Sequence, residues 1–408
     1  MTSEIRTEIT RRIDSQVAAS GGIDDDELCR LIDEVMLDRQ YAACTVSEKA
    51  ELRQDIFNSI KRLDIIQNLL DDDSVTEIMI NGYRDIFVER GGKMERYGRE
   101  FISRERLLDV VQRIAARSNK IVNEATPIID TRLEDGSRVN IVMSPIAIDG
   151  PAVTIRKFYD NPLTMGKLIE LGAITAEAAR FLERLVAARY NIFISGGTGS
   201  GKTTFLNALS DYIPKDERII TIEDSAELKL MGVENLVRLE ARSANMEGRN
   251  AVTIRDMIRA SLRMRPSRII VGEVRGGEAL DMLQAMGTGH DGSLSTGHAN
   301  GPEELMLRLE TMVLMAVDMP VEAIRSQIAA GVDIVVHLER MGDGSRKVVE
   351  ISEIKGIDNA RERGSIELNT LFEYVKEGAD EKGRIIGQLM ATGNGLVHDG
   401  KLKAAVVG

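Results

Sequence analysis

The feature that most limits the possible folds is the segment 191–209, NIFISGGTGSGKTTFLNAL. A short apolar stretch typical of a buried strand leads into a glycine-rich turn, and a run with helical periodicity follows. Gly196, Gly201, Lys202 and Thr203 satisfy the spacing G-x-x-x-x-G-K-[ST]. A strand, a phosphate-binding turn and a helix in this order predict an α/β domain built around a parallel sheet.

The residue types in this turn suit a bound polyphosphate. Glycines have no side chain to block the β- and γ-phosphates, so consecutive backbone N–H groups can point at the anion. The helix that follows adds the partial positive charge of its N-terminus. Lys202 supplies a mobile cation, and the hydroxyl of Thr203 is suited to Mg²⁺. We therefore predict a site for ATP and Mg²⁺ formed by Gly196, Gly197, Thr198, Gly199, Ser200, Gly201, Lys202, Thr203 and Thr204.

Two further strand-like segments end in carboxylates. RIITIED ends in Glu223 and Asp224, and PSRIIVGEVRG contains Glu273. Catalytic groups on an open α/β sheet lie at the carboxyl ends of the strands. Many phosphate-loop enzymes have an aspartate before this glutamate to help hold Mg²⁺, but here the position is Gly272. We predict that Glu223 joins Thr203 in holding Mg²⁺ and that Glu273 orients or deprotonates the attacking water. For Asp224, a catalytic role and a capping or structural role both stay open.

Two of the four histidines lie in GTGHDGSLSTGHAN, residues 287–300. A metal site would need further ligands, but no cysteine is near, and His337 and His398 lie in unrelated contexts. A serine–histidine nucleophile pair lacks a nucleophile elbow and a third partner, whereas a plain polar loop stays open. The order of the motifs favours a strand, GSLST, that delivers His298 towards the γ-phosphate as a sensor. For His290, coupling to a neighbouring helix or subunit and a structural role in the turn are both open.

The chain is long enough for two or three domains. Residues 1–66 have helical patterns with candidate breaks at Gly21-Gly22 and around Cys44 to Ser47. Short β-branched segments bounded by turn residues, with the helical run SRERLLDVVQRIAARSN among them, predict a compact α+β domain over 71–158. Residues 159–172, with a proline and two glycines, are interpreted as a linker. Alternating strand and helix patterns then predict an α/β domain with a C-terminal tail over 173–408.

Composition restricts the location and the partners. The formal net charge of −12 and the pI of about 5.1 argue against nonspecific binding of nucleic acid over the whole surface. No run approaches the roughly 18 apolar residues that cross a bilayer, and the charged N-terminal residues do not resemble a secretory signal. The two cysteines, Cys29 and Cys44, fit a reducing compartment. The cytoplasm is therefore the predicted location.

An arginine-rich stretch is a local exception to the acidic composition. Residues 238–275 contain nine arginines, no lysine and four acids. We interpret the group as a lining for phosphates or a subunit contact. Within it, Thr253 and Asp256 have the spacing of a helix-capping box. The helix so predicted places three arginines on one stripe, interpreted as an interface or a solvated face: Arg255, Arg259 and Arg263.

Taken together, GGTGSGKTT, TIED, RIIVGEVRG and TGHDGSLSTGHAN resemble the secretion ATPases of type II and type IV systems. The resemblance is closest to the Tad/Cpa-type (CpaF-like) pilus assembly ATPases, on VTEIMING, TRLEDGSRVNIVMSP, GPAVTIRKF and LTMGKLIELGAIT, and it covers about residues 65–355. By this resemblance the four motifs are a Walker A loop, an Asp box, a Walker B strand and a His box that contains His298. It implies a RecA-like P-loop motor domain at the C-terminus, preceded by a small α+β (PAS-like) domain and an N-terminal helical region.

The resemblance also implies an activity and partners. The expected protein is a Mg²⁺-dependent ATPase that forms a homo-oligomer, expected to be a hexamer, with Arg138 and Arg156 of the preceding domain reaching the nucleotide. It would power pilus assembly or protein export through a platform protein of the inner membrane, with no nucleic acid as partner. A DNA-translocating conjugative ATPase and a scaffold that binds ATP without turnover are the alternatives. The implied catalytic set is Lys202, Glu223, Glu273 and His298.

Overall fold

In the computed structural model the chain divides into two compact units, Met1–Tyr159 (unit 1) and Asp160–Gly408 (unit 2). The structure describes residues 2–20, 23–38, 45–158, 163–242, 250–358, 365–381 and 383–407. The predicted break at Gly21-Gly22 and the residue Cys44 lie outside the described residues.

Unit 1 begins with four helices: α1 Thr2–Ser20, α2 Asp25–Met36, α3 Val46–Lys61 and α4 Ile65–Leu70. Helix α2 begins after Asp24, whose carboxylate accepts a hydrogen bond from the Glu27 N–H. Helix α3 begins with a capping box between Thr45 and Glu48. The apolar faces of α1, α2 and α3 form a small core that includes Ile9, Ile13, Ile32 and Ile56.

The rest of unit 1 is one antiparallel sheet with a helix on it. The elements are β1 Val75–Asn81, β2 Asp85–Arg90, β3 Lys93–Arg96, α5 Arg104–Arg117, β4 Ile128–Arg132, β5 Arg138–Val142 and β6 Ala152–Arg156. The strand order is β3-β2-β1-β6-β5-β4, and each neighbouring pair is antiparallel. The buried residues of α4, α5 and the sheet form a single core, so α4 belongs to the packing of the α+β part.

Arginine side chains join the helical part of unit 1 to α5. Arg106 donates to the carbonyl of Ser59, and Arg113 donates to the carbonyls of Ile60 and Arg62, near the end of α3. Arg106 also pairs with the buried carboxylate of Asp64. Carbonyls in the last turn of a helix have no partner within the helix, so these donors stabilise its C-terminus.

Unit 2 has a larger sheet between layers of helices. Its elements are α6 Met165–Glu170, α7 Ala176–Ala187, β7 Ile192–Gly196, α8 Lys202–Ser210, β8 Ile219–Glu223, β9 Leu236–Glu240, α9 Ile254–Ser261, β10 Arg268–Val274, α10 Glu278–Gly287, β11 Leu294–Gly297, α11 Pro302–Ala316, α12 Val321–Gly331, β12 Ile334–Arg340, β13 Arg346–Asp358, β14 Ser365–Ala379, β15 Ile385–Ala391 and α13 Gly400–Val407. The strand order is β15-β14-β13-β12-β7-β11-β10-β8-β9.

The central strands of this sheet are parallel, which confirms the α/β prediction. Strands β12, β7, β11, β10, β8 and β9 pair in parallel. Every residue of β7 and of β8 is buried because separate apolar clusters cover the two faces of the sheet. The strand predicted from GSLST is confirmed as β11, and the capping box of Thr253 and Asp256 is confirmed at the start of α9.

The sequence patterns missed two features of unit 2. Strands β13, β14 and β15 extend the sheet in antiparallel fashion. The sequence patterns predict only an α/β domain with a C-terminal tail for this region. The segment interpreted as a linker contains helix α6, whose Met165 and Leu168 are buried in the core of unit 2. The burial of two apolar side chains is enough to hold this short helix against the core. The sequence pattern predicted a linker instead because the segment contains a proline and two glycines.

Hydrogen bonds hold the C-terminal residues against the sheet. The carboxylate of Glu353 accepts from the backbone N–H groups of Val397 and His398. Lys401 donates to Asp333 at 2.7 Å and to Asp291 at 2.8 Å. The tail therefore contacts the turn that precedes β11.

Three arginines of the arginine-rich stretch support the fold, whereas the interpretation of the whole stretch as a phosphate lining or an interface stays a prediction. Arg268 is fully buried and makes a bidentate pair with Glu217, both bonds being 2.8 Å long. Arg255 and Arg259 both donate to the buried carboxylate of Asp281. A buried carboxylate is strongly destabilising without a cation, which explains these pairings. Arg249 lies outside the described residues.

Among the described helices, none combines the length and the apolar character needed to cross a membrane.

Candidate nucleotide-binding site

The predicted site motifs of unit 2 meet at one edge of its sheet. Strands β8, β10, β11 and β7 lie side by side and parallel, so their carboxyl ends share this edge. Glu223 ends β8, Glu273 lies near the end of β10, and His298 directly follows β11. The glycine-rich loop leaves the end of β7 at Gly196. Ligands of open α/β sheets bind at such an edge.

The glycines of the loop between β7 and α8 are required by the backbone and by close packing. Gly196 has φ of +156°, and a Cβ there would lie 2.4 Å from the Leu338 carbonyl oxygen. Gly199 and Gly201 have φ values of +71° and +94°, which favour glycine. Gly201 precedes α8 and offers no side-chain cap. The first turn of α8 therefore has no side chain of Gly201 on its N–H groups, and a helix N-terminus attracts anions.

Lys202, the first residue of α8, is buried against this loop. Its ammonium group donates to the carbonyls of Gly196 and Gly197, each at 2.9 Å. An ammonium group has three donors that can exchange partners, so a bound phosphate can replace these loop carbonyls. Thr203 and Thr204 follow in the first turn of α8 and are half-buried. Ser200 closes the loop by donating to the Gly197 carbonyl at 2.9 Å.

A hydrogen-bonded chain connects the carboxylate of β10 to the loop. Nδ1 of His298 bonds to Oε1 of Glu273, and Nε2 of His298 lies 3.2 Å from the Thr198 hydroxyl. The other oxygen of Glu273 accepts from Arg275 Nε at 2.9 Å. Burial opposes ionisation of Glu273, but the Arg275 guanidinium and His298 hold the pKa of its carboxyl below the ordinary value. Glu273 is therefore a carboxylate at neutral pH and can accept a proton or orient a water molecule.

The environment of Glu223 differs from that of Glu273. The side chain is 3% exposed, and Oε1 accepts from the Glu227 N–H at 2.8 Å and the Leu228 N–H at 3.0 Å. Within the described structure, Oε2 is buried without a hydrogen-bond partner. Burial raises the pKa of Glu223 to about 7. A Cβ at Gly272 would lie 2.9 Å from Cγ of Glu223, so the glycine before Glu273 makes room for this side chain.

The donor set fits a nucleotide-bound Mg²⁺. The described residues contain no group of three or more His, Cys, Asp or Glu arranged as a complete metal site. Mg²⁺ that binds together with a nucleotide needs only one or two protein oxygens, because phosphates and waters complete its octahedron. The Thr203 hydroxyl and the unpartnered Oε2 of Glu223 are oxygen donors of the required kind. These two residues would hold the ion.

The raised pKa of Glu223 predicts a pH-dependent gain in stability for Glu223→Gln. Between its ordinary value of 4.5 and about 7, the folded protein keeps a proton that the unfolded chain has released. The free energy of unfolding of the wild type therefore falls as the pH rises through this range. Glutamine carries no charge, so the free energy of unfolding of the nucleotide-free variant relative to the wild type should rise by about 2.5 kcal/mol between pH 5 and pH 8.5.

Calorimetric unfolding of both proteins at the two pH values measures this difference. Asp224→Asn is the control, because Asp224 is the next residue and is exposed. A gain for Glu223→Gln that is equal at both pH values would contradict the argument from burial.

The two arginines predicted to reach the nucleotide lie in unit 1. Arg138 on β5 and Arg156 on β6 are direct partners in the antiparallel register, so their side chains share one face of the sheet. Arg156 is exposed and Arg138 is half-buried. Their contact with nucleotide stays a prediction.

Two residues of this edge were missed from the sequence. Arg275 was counted only within the arginine-rich stretch, although its spacing of two residues from Glu273 could have indicated the contact. His337 was set aside as lying in an unrelated context, but β12 pairs with β7 and places its Nδ1 2.8 Å from the Ser195 hydroxyl. Its position near the end of an apolar strand, DIVVHLE, was the available signal.

His290 and the glycines around it have mainly structural contacts. A Cβ at Gly292 would lie 2.6 Å from the Arg268 guanidinium, and one at Gly297 would lie 3.0 Å from the Phe193 ring. The His290 carbonyl accepts from Ser293, while within the described structure Nδ1 of His290 is buried without a partner. Close packing thus explains Gly292 and Gly297.

A glycine-rich loop between a parallel strand and a helix, with strand-end carboxylates beside it, defines an α/β nucleotide-binding protein of the phosphate-loop class. The family model of the type II/IV secretion system protein matches residues 60–381, more than half of the chain. The chain is 35% identical over 297 residues to a putative conjugal transfer protein of Mycobacterium tuberculosis. The aligned region covers 71% of this chain and 84% of that protein.

Two further comparisons agree with this match. The identity to the type IV secretion system protein VirB11 of Brucella suis is 34% over 320 residues, covering 72% of this chain and 88% of VirB11. The X-ray structure of the Legionella pneumophila ATPase DotB has the same fold, with a TM-score of 0.51 and 22% identity over 70% of this chain and 78% of DotB. The chain belongs to the type II/IV secretion system protein family.

Proposed function

We propose that this protein is a Mg²⁺-dependent ATPase whose hydrolysis of ATP powers the assembly of a Tad/Flp-type pilus or protein secretion at the bacterial inner membrane. The observation that carries the proposal is the chain of contacts from Glu273 through His298 to Thr198. It links a carboxylate suited to activate water with the loop suited to hold phosphates. The names of relatives as secretion proteins and ATPases support the same class.

In this proposal the residues of unit 2 have separate roles in binding and hydrolysis. The loop N–H groups and Lys202 bind the phosphates and neutralise their charge. Thr203 and Glu223 would hold Mg²⁺, which would supply further positive charge to the phosphate oxygens. Glu273 orients the water and accepts its proton, and its ionised state suits it to this role. His298 contacts both Glu273 and the loop, so its position depends on what the loop holds.

The wider arrangement follows the family resemblance. Unit 2 is proposed to be the RecA-like motor domain, and the sheet of unit 1 the PAS-like domain that lends Arg138 and Arg156 to the nucleotide. A hexameric ring docked on an inner-membrane platform protein would convert cycles of hydrolysis into movement. The protein itself would be cytoplasmic and attached to the membrane through that partner.

The test is steady-state phosphate release by the purified full chain, coupled to mass measurement on the same sample. With ATP and Mg²⁺ we expect release at about 1–10 per second and a mass that increases to that of an oligomer. Without Mg²⁺ the release should fall to background. Binding of ATP without any release in the oligomeric state would favour the scaffold alternative and refute the proposed ATPase.

A conjugative ATPase that acts on DNA is the second proposal, favoured by the conjugal transfer names of relatives from Mycobacterium tuberculosis and Rhizobium radiobacter. Its discriminating result is stimulation of phosphate release by single- or double-stranded DNA. The net charge of −12 argues for no stimulation.

A further inference from the structure

The buried imidazole of His337 lies directly behind the phosphate loop and is not used in the proposed hydrolysis. It is 5% exposed, and Nδ1 is 2.8 Å from the Ser195 hydroxyl. Ser195 is the register partner of both His337 on β12 and Gly297 on β11. Ser195 immediately precedes the loop and Gly297 immediately precedes His298. The imidazole therefore contacts the strand from which the loop begins.

The imidazole of His337 also lies near the residues that follow His298. The backbone of Asn300, two residues after His298, lies close enough to the ring to raise the pKa of His337. Asn300 in turn donates from its backbone N–H and from its side chain to the Glu304 carboxylate, each at 3.2 Å, at the start of α11. One side chain thus bridges the start of the phosphate loop and the end of the sensor segment.

The neutral imidazole satisfies both contacts at once. The Asn300 backbone raises the pKa of His337, as a carbonyl that faces a ring N–H does. In that tautomer Nδ1 accepts from the Ser195 hydroxyl. Burial lowers the pKa of His337, and the nearby Lys202 ammonium acts in the same direction, whereas Glu304 and the Asn300 contact oppose it. The ring therefore favours its neutral form.

We propose that His337 is a positioning residue that sets the distance between the phosphate loop and His298 through Ser195 and Asn300. The inference rests on the proposed ATPase function. Loop N–H groups and Lys202 hold the nucleotide without His337, so its loss should leave ATP binding largely intact. Without His337, the position of His298 relative to the loop should be less well defined. Misplacement of a catalytic group by about 1 Å can lower the rate about 100-fold.

The experiment compares His337→Leu, Ser195→Ala and the double variant in the full chain, with ATP affinity and phosphate release measured separately. We expect His337→Leu to lower kcat by about 10–100-fold while the Kd for ATP changes less than about threefold. Ser195→Ala should lower kcat in the wild type but add little in the His337→Leu background, because the two groups act as one unit. His337→Gln, which can still reach the Asn300 carbonyl, should recover part of the rate.

The control is His398→Leu, in which the exposed histidine of the C-terminal segment is replaced. Wild-type kcat for His337→Leu, an equal loss in kcat and in ATP affinity, or additive effects of the two substitutions would each overturn the inference. A wild type that binds ATP but releases no phosphate refutes the ATPase itself, and the inference falls with it. These outcomes are distinct because the wild type and the variants are assayed in parallel.

Discussion

Glu273→Gln is expected to reduce steady-state phosphate release by about a thousandfold, with ATP binding preserved. Glutamine keeps the volume of the side chain and an oxygen that can accept from Arg275, but it cannot take a proton from water. In the structure the Glu273 carboxylate is kept ionised by Arg275 and His298, although burial opposes this. The substitution thus removes the charge on which the proposed chemistry depends and leaves the phosphate loop unchanged.

The measurement pairs a phosphate-release assay with equilibrium binding of a fluorescent ATP analogue. Glu303→Gln is the matched control, because Glu303 is an exposed carboxylate on α11 and should retain full turnover. Wild-type hydrolysis by Glu273→Gln would remove Glu273 from the catalytic set. A parallel loss of binding would indicate instead that Glu273 supports the loop through His298.

Lys202→Ala is expected to weaken ATP binding by about 10–100-fold, which corresponds to the loss of about 1.5–3 kcal/mol from charge-assisted hydrogen bonds. The ammonium group donates to the carbonyls of Gly196 and Gly197 in the structure. Its net contribution is therefore the difference between phosphate and carbonyl partners, which limits the effect to this range. The variant also leaves two loop carbonyls without a donor, so the loop itself should become less ordered.

Titration with the same fluorescent analogue measures the affinity, and hydrogen exchange of the loop reports on its order. Lys215→Ala is the control, since Lys215 is an exposed lysine of the same unit that donates to the Met231 carbonyl. An unchanged affinity for ATP in Lys202→Ala would refute the assignment of residues 196–204 as the phosphate site.

Several local features of unit 2 were predictable because neighbouring residues determine them. The strand, turn and helix around Gly196 follow from an apolar run, glycines with positive φ and a helical period. The capping box of Thr253 and Asp256 depends on residues three positions apart. Gly272 also carried information, because the missing aspartate there pointed to Glu223 as the acidic partner for Mg²⁺. That role stays a prediction, and in the structure Glu223 packs against Gly272.

The contacts that were missed join residues far apart in the chain. Arg268 pairs with Glu217 across 51 residues, and Lys401 contacts Asp291 across 110. His337 meets Ser195 across 142 residues. No local pattern encodes such a pair, because it exists only once the order of the strands is known. The pairs made by the arginine-rich stretch are of this kind too, because Arg255 pairs with Asp281 and Arg268 pairs with Glu217, two acids that lie outside the stretch.

The amino-acid sequence by itself determined the class of the protein, the position of its phosphate loop and the residue types available for catalysis. These properties reside in short motifs whose chemistry depends on spacing along the chain. Only the tertiary structure decided that Arg275 and His298 flank Glu273, that Glu223 is buried with one oxygen unpartnered, and that His337 lies behind the loop. The physical reason is that charge state and hydrogen-bond partners depend on burial and on strand order, which arise when the sheet is packed.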